Sequence, residues 1–167
     1  MSTAARVRPR ELDARVPAHG RPVLLATFGV PFDEAAVAAA VDAVVESGDP
    51  LIVANITKLE PLAMSVMMGY DALEELTPDV SGSIQRPARI AAGYGLDVER
   101  LRIRTPRPAS ALIELVRERE PGLVVFGPDR QRIARRIYRK TVEALRAAGS
   151  LMWLPLELDW RGPSSVG

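Results

Sequence analysis

The residues able to do chemistry in this sequence are few, and most of them are cationic. There is no cysteine, so a thiolate nucleophile, a disulfide and a sulfur-rich metal site are excluded. The one histidine, His19, lies ahead of the first strand-like run, which leaves no Ser/His/Asp triad or histidine metal cluster in the body of the chain. No paired carboxylates stand where a general acid and base would be needed, and the expectation is a protein without catalytic residues and without a bound metal. The densest charge is Arg132, Arg135, Arg136 and Arg139. On a helix that spacing gathers them within about 100° of arc, with Ile133, Ile137, Ala144 and Leu145 on the opposite face. Two readings stay open: a solvated outer face partly neutralised by Glu143, or a site for a phosphate-bearing ligand or an acidic partner. Nucleic acid ranks last, since no aromatic residues interleave with the arginines to stack on bases.

The elements that must position these residues alternate. Residues 22–27 form a short apolar run of the kind that makes a buried strand. Gly29 and Pro31 break it, and a helix is expected over 32–47, with Asp33 and Glu34 in its first turn, Val37, Val41, Val44 and Val45 inward and Gly48 as its stop. A second strand follows over 51–57. Helical spacing recurs through Met64, Met67, Met68, Leu73 and Leu76, a cluster read as core or lid packing. Residues 80–94 look helical, with Pro87 as either a kink or a new start. A strand over 98–104 precedes a helix that opens on Pro108 and runs to about 120, with Ala109, Leu112, Ile113 and Val116 inward. The strand 123–126, a long helix over 130–148 and a last strand over 150–156 complete the order β-α-β-α-β-α-β-α-β. That alternation predicts one α/β domain: an open five-stranded parallel sheet with helices on both faces and right-handed crossovers. The strands are apolar on both faces and no tight hairpin signal occurs, as a parallel sheet requires.

Residues 1–20 read as a flexible basic arm, 21–156 as the domain and 157–167 as a tail. Hydrophobic residues at 47% and a net charge of +1 suit a soluble protein and argue against a whole-surface polyanion binder. No apolar run is long enough to span a membrane and the arm lacks the apolar centre of a signal peptide, so the expected location is the cytoplasm.

Three segments together resemble the universal stress proteins. Val23-Leu-Leu-Ala-Thr-Phe-Gly-Val30 is similar to that family's opening strand and turn. Gly122-Leu-Val-Val-Phe-Gly127, led in by the helix from Pro108, is similar to its Asp-Leu-Ile-Val-Met-Gly. The family's phosphate loop, G-x2-G-x9-G-[ST], has its frame here as Gly127, Arg130, nine residues, Lys140 and Thr141. The resemblance implies a Rossmann-like fold of the adenine nucleotide α-hydrolase type, strand order 3-2-1-4-5, and a ligand cleft between strands 1 and 4. Those α-hydrolases carry a Ser-Gly-Gly-type loop that is absent here.

The departures concern the chemistry. Phe28 stands where nucleotide-binding members carry an acid that contacts the adenosine moiety, and Gly29 and Val30 follow it. Two loop glycines are Arg130 and Lys140, although a backbone cradle for phosphate needs glycine for close approach and positive φ. Losing one charged hydrogen bond weakens binding about tenfold to a hundredfold. The expectation is therefore a stress-response or regulatory module with no cofactor, not holding ATP in the usual way. The alternative is a binding protein for ATP, AMP or another phosphate-bearing ligand, lined by Gly127, Arg130, Lys140 and Thr141. The resemblance also implies a homodimer through the last strand, with Leu151, Trp153, Leu156 and Trp160 at its edge. Pro155 limits that ladder, and an unidentified protein partner remains open.

Overall fold

The computed structural model describes residues 20–59 and 78–155, with backbone alone for 78–83. The arm, the Met64, Met67 and Met68 cluster, Leu156, Trp160 and the tail lie outside the described residues. Five strands and four helices alternate: β1 (Val23–Thr27), α1 (Glu34–Ser47), β2 (Leu51–Lys58), α2 (Pro78–Gly93), β3 (Val98–Thr105), α3 (Pro108–Arg119), β4 (Leu123–Phe126), α4 (Arg135–Ala147) and β5 (Met152–Trp153). The sheet order is β3-β2-β1-β4-β5, all neighbours parallel, as expected. In register, Val23 lies beside Leu51 on one side and Leu123 on the other.

Because β1 and β4 are covered on both sides, their residues are apolar apart from Thr27, whose hydroxyl is satisfied by the Val30 carbonyl. Successive side chains point to opposite faces, which builds two cores. Leu24, Ala26, Ile52, Ile56, Val124 and Phe126 meet Leu112, Leu115, Val116, Val142 and Leu145 of α3 and α4. On the other face Leu25, Val53 and Val125 meet Ala36, Ala40 and Val44 of α1 and Ile84 and Ala91 of α2. The edge strand β3 alternates instead: Leu101 and Ile103 pack on the core while Arg100, Arg102 and Arg104 are exposed.

Five expectations are corrected. First, α1 begins at Glu34, because Phe32 is drawn into a bridge with Pro128 and Asp33 becomes the N-cap, accepting from the Ala35 N–H at 2.9 Å. Its buried stripe is Ala36, Ala40, Val41 and Val44, while Val45 is exposed. Small residues win this face since α1 lies close on β4, as Gly127 shows below. Second, Pro87 does not mark a new start: α2 runs through it, and this buried proline forgoes one ladder bond to the carbonyl of Ser83. Third, α4 starts at Arg135, since Asp129 and its neighbours form a separate turn first: the Gln131 N–H donates to Asp129 Oδ1 and the Arg132 N–H to its carbonyl. Arg132 and Ile133 therefore precede the helix. Ile137 is exposed, and Thr141, Val142 and Leu145 are the buried residues of α4. Fourth, the last strand is two residues long, and Pro155 follows it. Fifth, in α3 the buried set is Leu112, Leu115 and Val116, while Ala109 is exposed.

Candidate functional site: the carboxyl ends of β1 and β4

In an open parallel sheet of this order the connections after β1 and β4 leave in opposite directions, and ligands bind in the crevice between them. Here those two connections are tied to each other. Phe32 and Pro128 form an antiparallel bridge. The Asp33 N–H donates to the Gly127 carbonyl at 3.0 Å, and the Asp129 N–H to the Pro31 carbonyl at 2.8 Å. Across the same seam Arg130 Nε lies 3.4 Å from Asp33 Oδ2, with the two side chains 12% and 23% exposed. The helix-capping carboxylate thus also anchors the opposite loop.

The turn after β1 is fixed from its other side. Gly29 has φ +66°, a left-handed conformation that a side chain would strain. Its N–H donates to Asn55 Oδ1 at 2.9 Å, and the Thr27 hydroxyl donates to the Val30 carbonyl at 2.8 Å. Asn55 is fully buried within β2, beside Thr27 at the end of β1, and its Nδ2 has no partner among the described residues. Phe28, half-buried, packs on Phe126 with ring centroids 4.8 Å apart, and Phe126 stacks on Tyr138 at 5.6 Å. An aromatic column therefore stands where the resemblance would put an acid. Burial raises the Tyr138 hydroxyl above its ordinary value; the Arg130 cation lowers it, the Asp33 carboxylate raises it and Arg146 lowers it.

The residues of the phosphate-loop frame are not brought together as a loop. Gly127 is buried, and a Cβ there would collide with that of Ala36. Helix-to-strand packing is thus a sufficient reason for this glycine. Arg130 belongs to the seam. Lys140 and Thr141 lie in the second turn of α4. The first bond of that ladder runs from the Tyr138 N–H to the Ala134 carbonyl, so the amides of Lys140 and Thr141 are inside it. Thr141 is 1% exposed and its hydroxyl donates to the Ile137 carbonyl at 2.8 Å, while Lys140 is exposed. A cradle of free amides at these two positions is therefore not formed.

At the expected dimer edge, Leu151 is 69% exposed, whereas Trp153 is half-buried against its own core. Leu156 and Trp160 lie outside the described residues. Sequence reasoning missed Asn55, the Asp33–Arg130 pair and Tyr138. A lone Asn in an apolar strand was the one available local signal.

A second concavity, of about 400 Å³, runs beside α4 toward the end of β5, and Arg130, Arg135, Arg139 and Arg146 line it. Among the described residues no cluster of acidic or histidine side chains could hold a metal ion, and no helix is long and apolar enough to cross a membrane.

Comparison with known proteins gives one family. No curated protein matches the chain. A universal stress protein family protein from Burkholderia pseudomallei has a solved structure that aligns with a TM-score of 0.54 at 19% identity, covering 81% of this chain and 96% of that one. A universal stress protein in complex with cAMP aligns at 0.52 and 20% identity, covering 81% and 96%. An Arabidopsis thaliana universal stress protein family protein with AMP bound aligns at 0.53 and 11% identity, covering 80% and 89%. At these identities the structures speak to the fold, which they share. The family model described as the universal stress protein family matches residues 20–147, most of the chain. By that match and the strand order, the chain belongs to the universal stress protein family.

Proposed function

We propose that this chain is a non-enzymatic regulatory module of the universal stress protein type, cytoplasmic and dimeric through its last strand, that does not hold ATP in the family's usual manner. The observation that carries the reading is the place of Lys140 and Thr141 inside the hydrogen-bonded ladder of α4. A phosphate held by backbone amides needs those amides unpaired. The seam between the β1 and β4 connections supports the same reading, because its carbonyls and amides already serve each other.

A second reading keeps an adenine nucleotide in the crevice. It draws on the relatives solved with cAMP and with AMP, and on the rigid Gly29 turn that Asn55 holds at the crevice's floor.

Calorimetry with ATP, AMP and cAMP, each set against tripolyphosphate or phosphate alone, separates the two. The expected result is no gain in affinity from the adenosine moiety. A nucleotide bound tighter than about 0.1 mM, or about 5.5 kcal/mol, and at least tenfold tighter than its base-free counterpart, would overturn the first reading in favour of the second.

A further inference from the structure

The groove beside α4 shares Arg130 with the seam between the β1 and β4 connections and is otherwise lined by residues outside it. Helix α4 carries Arg135, Arg136, Arg139, Lys140 and Arg146 against one acid, Glu143, in its 13 residues. Five cations on one helix could be an ordinary solvated face. Two features set this face apart.

The first is geometry. Arg135, Arg139 and Arg146 recur at i, i+4 and i+11, which places them within about 40° of arc over about 16 Å of helix. Arg130 stands at the head of this row, and the four line a concavity of about 400 Å³ in which Glu143 is the one acid. Val142, Leu154 and Pro155 give it an apolar wall. The volume falls in the range of small-ligand clefts. Tyr138 lines the same groove, and its hydroxyl feels Arg130 first, then the opposing Asp33 carboxylate, then Arg146.

The second is the direction of the charge. Arg135 and Arg136 open the helix, where the peptide dipoles already present their positive end, and the N-cap Ala134 offers no side-chain oxygen. Cations belong at the other terminus. Arg139 and Arg146 make no ion pair among the described residues, and a multivalent anion offsets the repulsion between such like-signed groups. Guanidinium groups match phosphate oxygens in planar, two-pronged geometry.

We propose that the arginine-lined groove between α4 and the end of β5 binds a short linear oligophosphate, free or as the end of a larger molecule. Recognition is by the phosphates, so the base of a nucleoside triphosphate adds nothing.

The test is calorimetric titration of the full chain with inorganic tripolyphosphate at low ionic strength, with ATP as the second arm. Arg139 and Arg146 are exposed and make no ion pair among the described residues, so their replacement spares the fold. Arg139→Ala and Arg146→Ala should each weaken tripolyphosphate about tenfold or more. Arg136→Ala removes the same charge from another face of α4 and should leave affinity within about twofold. Equal affinity for tripolyphosphate and ATP supports recognition of the phosphates alone. No binding to the parent chain, or equal loss from Arg136→Ala and Arg139→Ala, overturns the proposal. ATP bound more tightly than tripolyphosphate and unaffected by Arg139→Ala overturns it too, and points to the crevice instead. Loss of arginine dependence thus sinks the groove, while adenine dependence sinks the reading of the crevice.

Discussion

Gly127→Ala adds one methyl group at the closest approach of α1 to the sheet. The new Cβ would overlap that of Ala36, with Leu25 Cδ1 a further 3.4 Å contact. Ala36 is 1% exposed, and its methyl sits on helix backbone that cannot swing aside. Overpacking of this kind costs about 1–3 kcal/mol, and the rigid partner argues for about 2–3 here. Ala36→Gly alone removes a buried methyl group, about 0.8 kcal/mol, and places glycine within a helix, about 1 kcal/mol. Independent effects would sum to about 4–5 kcal/mol. If the two methyl groups compete for one space, the double variant instead refills it and should lose about 1 kcal/mol. The coupling is then about 3 kcal/mol, far beyond that of distant sites. Urea denaturation of the four proteins measures it. In thermal melts the single Gly127→Ala variant should fall by about 4–12 °C. A double variant as unstable as the sum of its parts would refute the packing role of Gly127.

Three further outcomes follow from the seam, the aromatic column and one strained residue. Asp33→Asn keeps the capping oxygen and loses the charge facing Arg130, so it should cost about 1 kcal/mol in urea denaturation, whereas Asp33→Ala loses both and should cost about 2. Tyr138 has a raised hydroxyl pKa in the folded chain, so its neutral form contributes stability that is whole below about pH 10, the unfolded value, and declines as pH rises through the folded value. The parent should therefore lose more stability than Tyr138→Phe between about pH 9 and 11, and equal losses would remove Tyr138 as the cause. Glu120 ends α3 at φ +46°, alone among the described non-glycine residues in having positive φ. Glu120→Gly should gain about 0.5–1 kcal/mol, read from the same denaturation curves.

The strand order and the alternation of elements were legible because β1, β2 and β4 are short apolar runs bounded by glycine and proline, and because Gly48 and Pro108 mark helix ends in the local sequence. The start of α4 was not. Residues 130–134 carry the same basic character as the helix, and it is Asp129, accepting from the amides of Gln131 and Arg132, that delays it. The inward face of α1 misled for a different reason. A hydrophobicity pattern favours Val45, but proximity to Gly127 selects for the size of Ala36 and Ala40. The seam joins residues nearly a hundred positions apart, so no local pattern could announce the Asp33–Arg130 pair. The frame from Gly127 to Thr141 led to the right family, yet a frame records spacing and not whether an amide is already bonded.

The two edges of the sheet are unequal, and this limits what it can build. Arg100, Arg102 and Arg104 stand along the eight-residue edge β3, where a second β3 would bring arginine against arginine. The opposite edge, β5, offers two paired residues before a proline. Strand addition thus has a valence of one. Two copies that met at β5 would each turn a guarded edge outward, and the assembly would terminate as a closed pair instead of growing into a fibre.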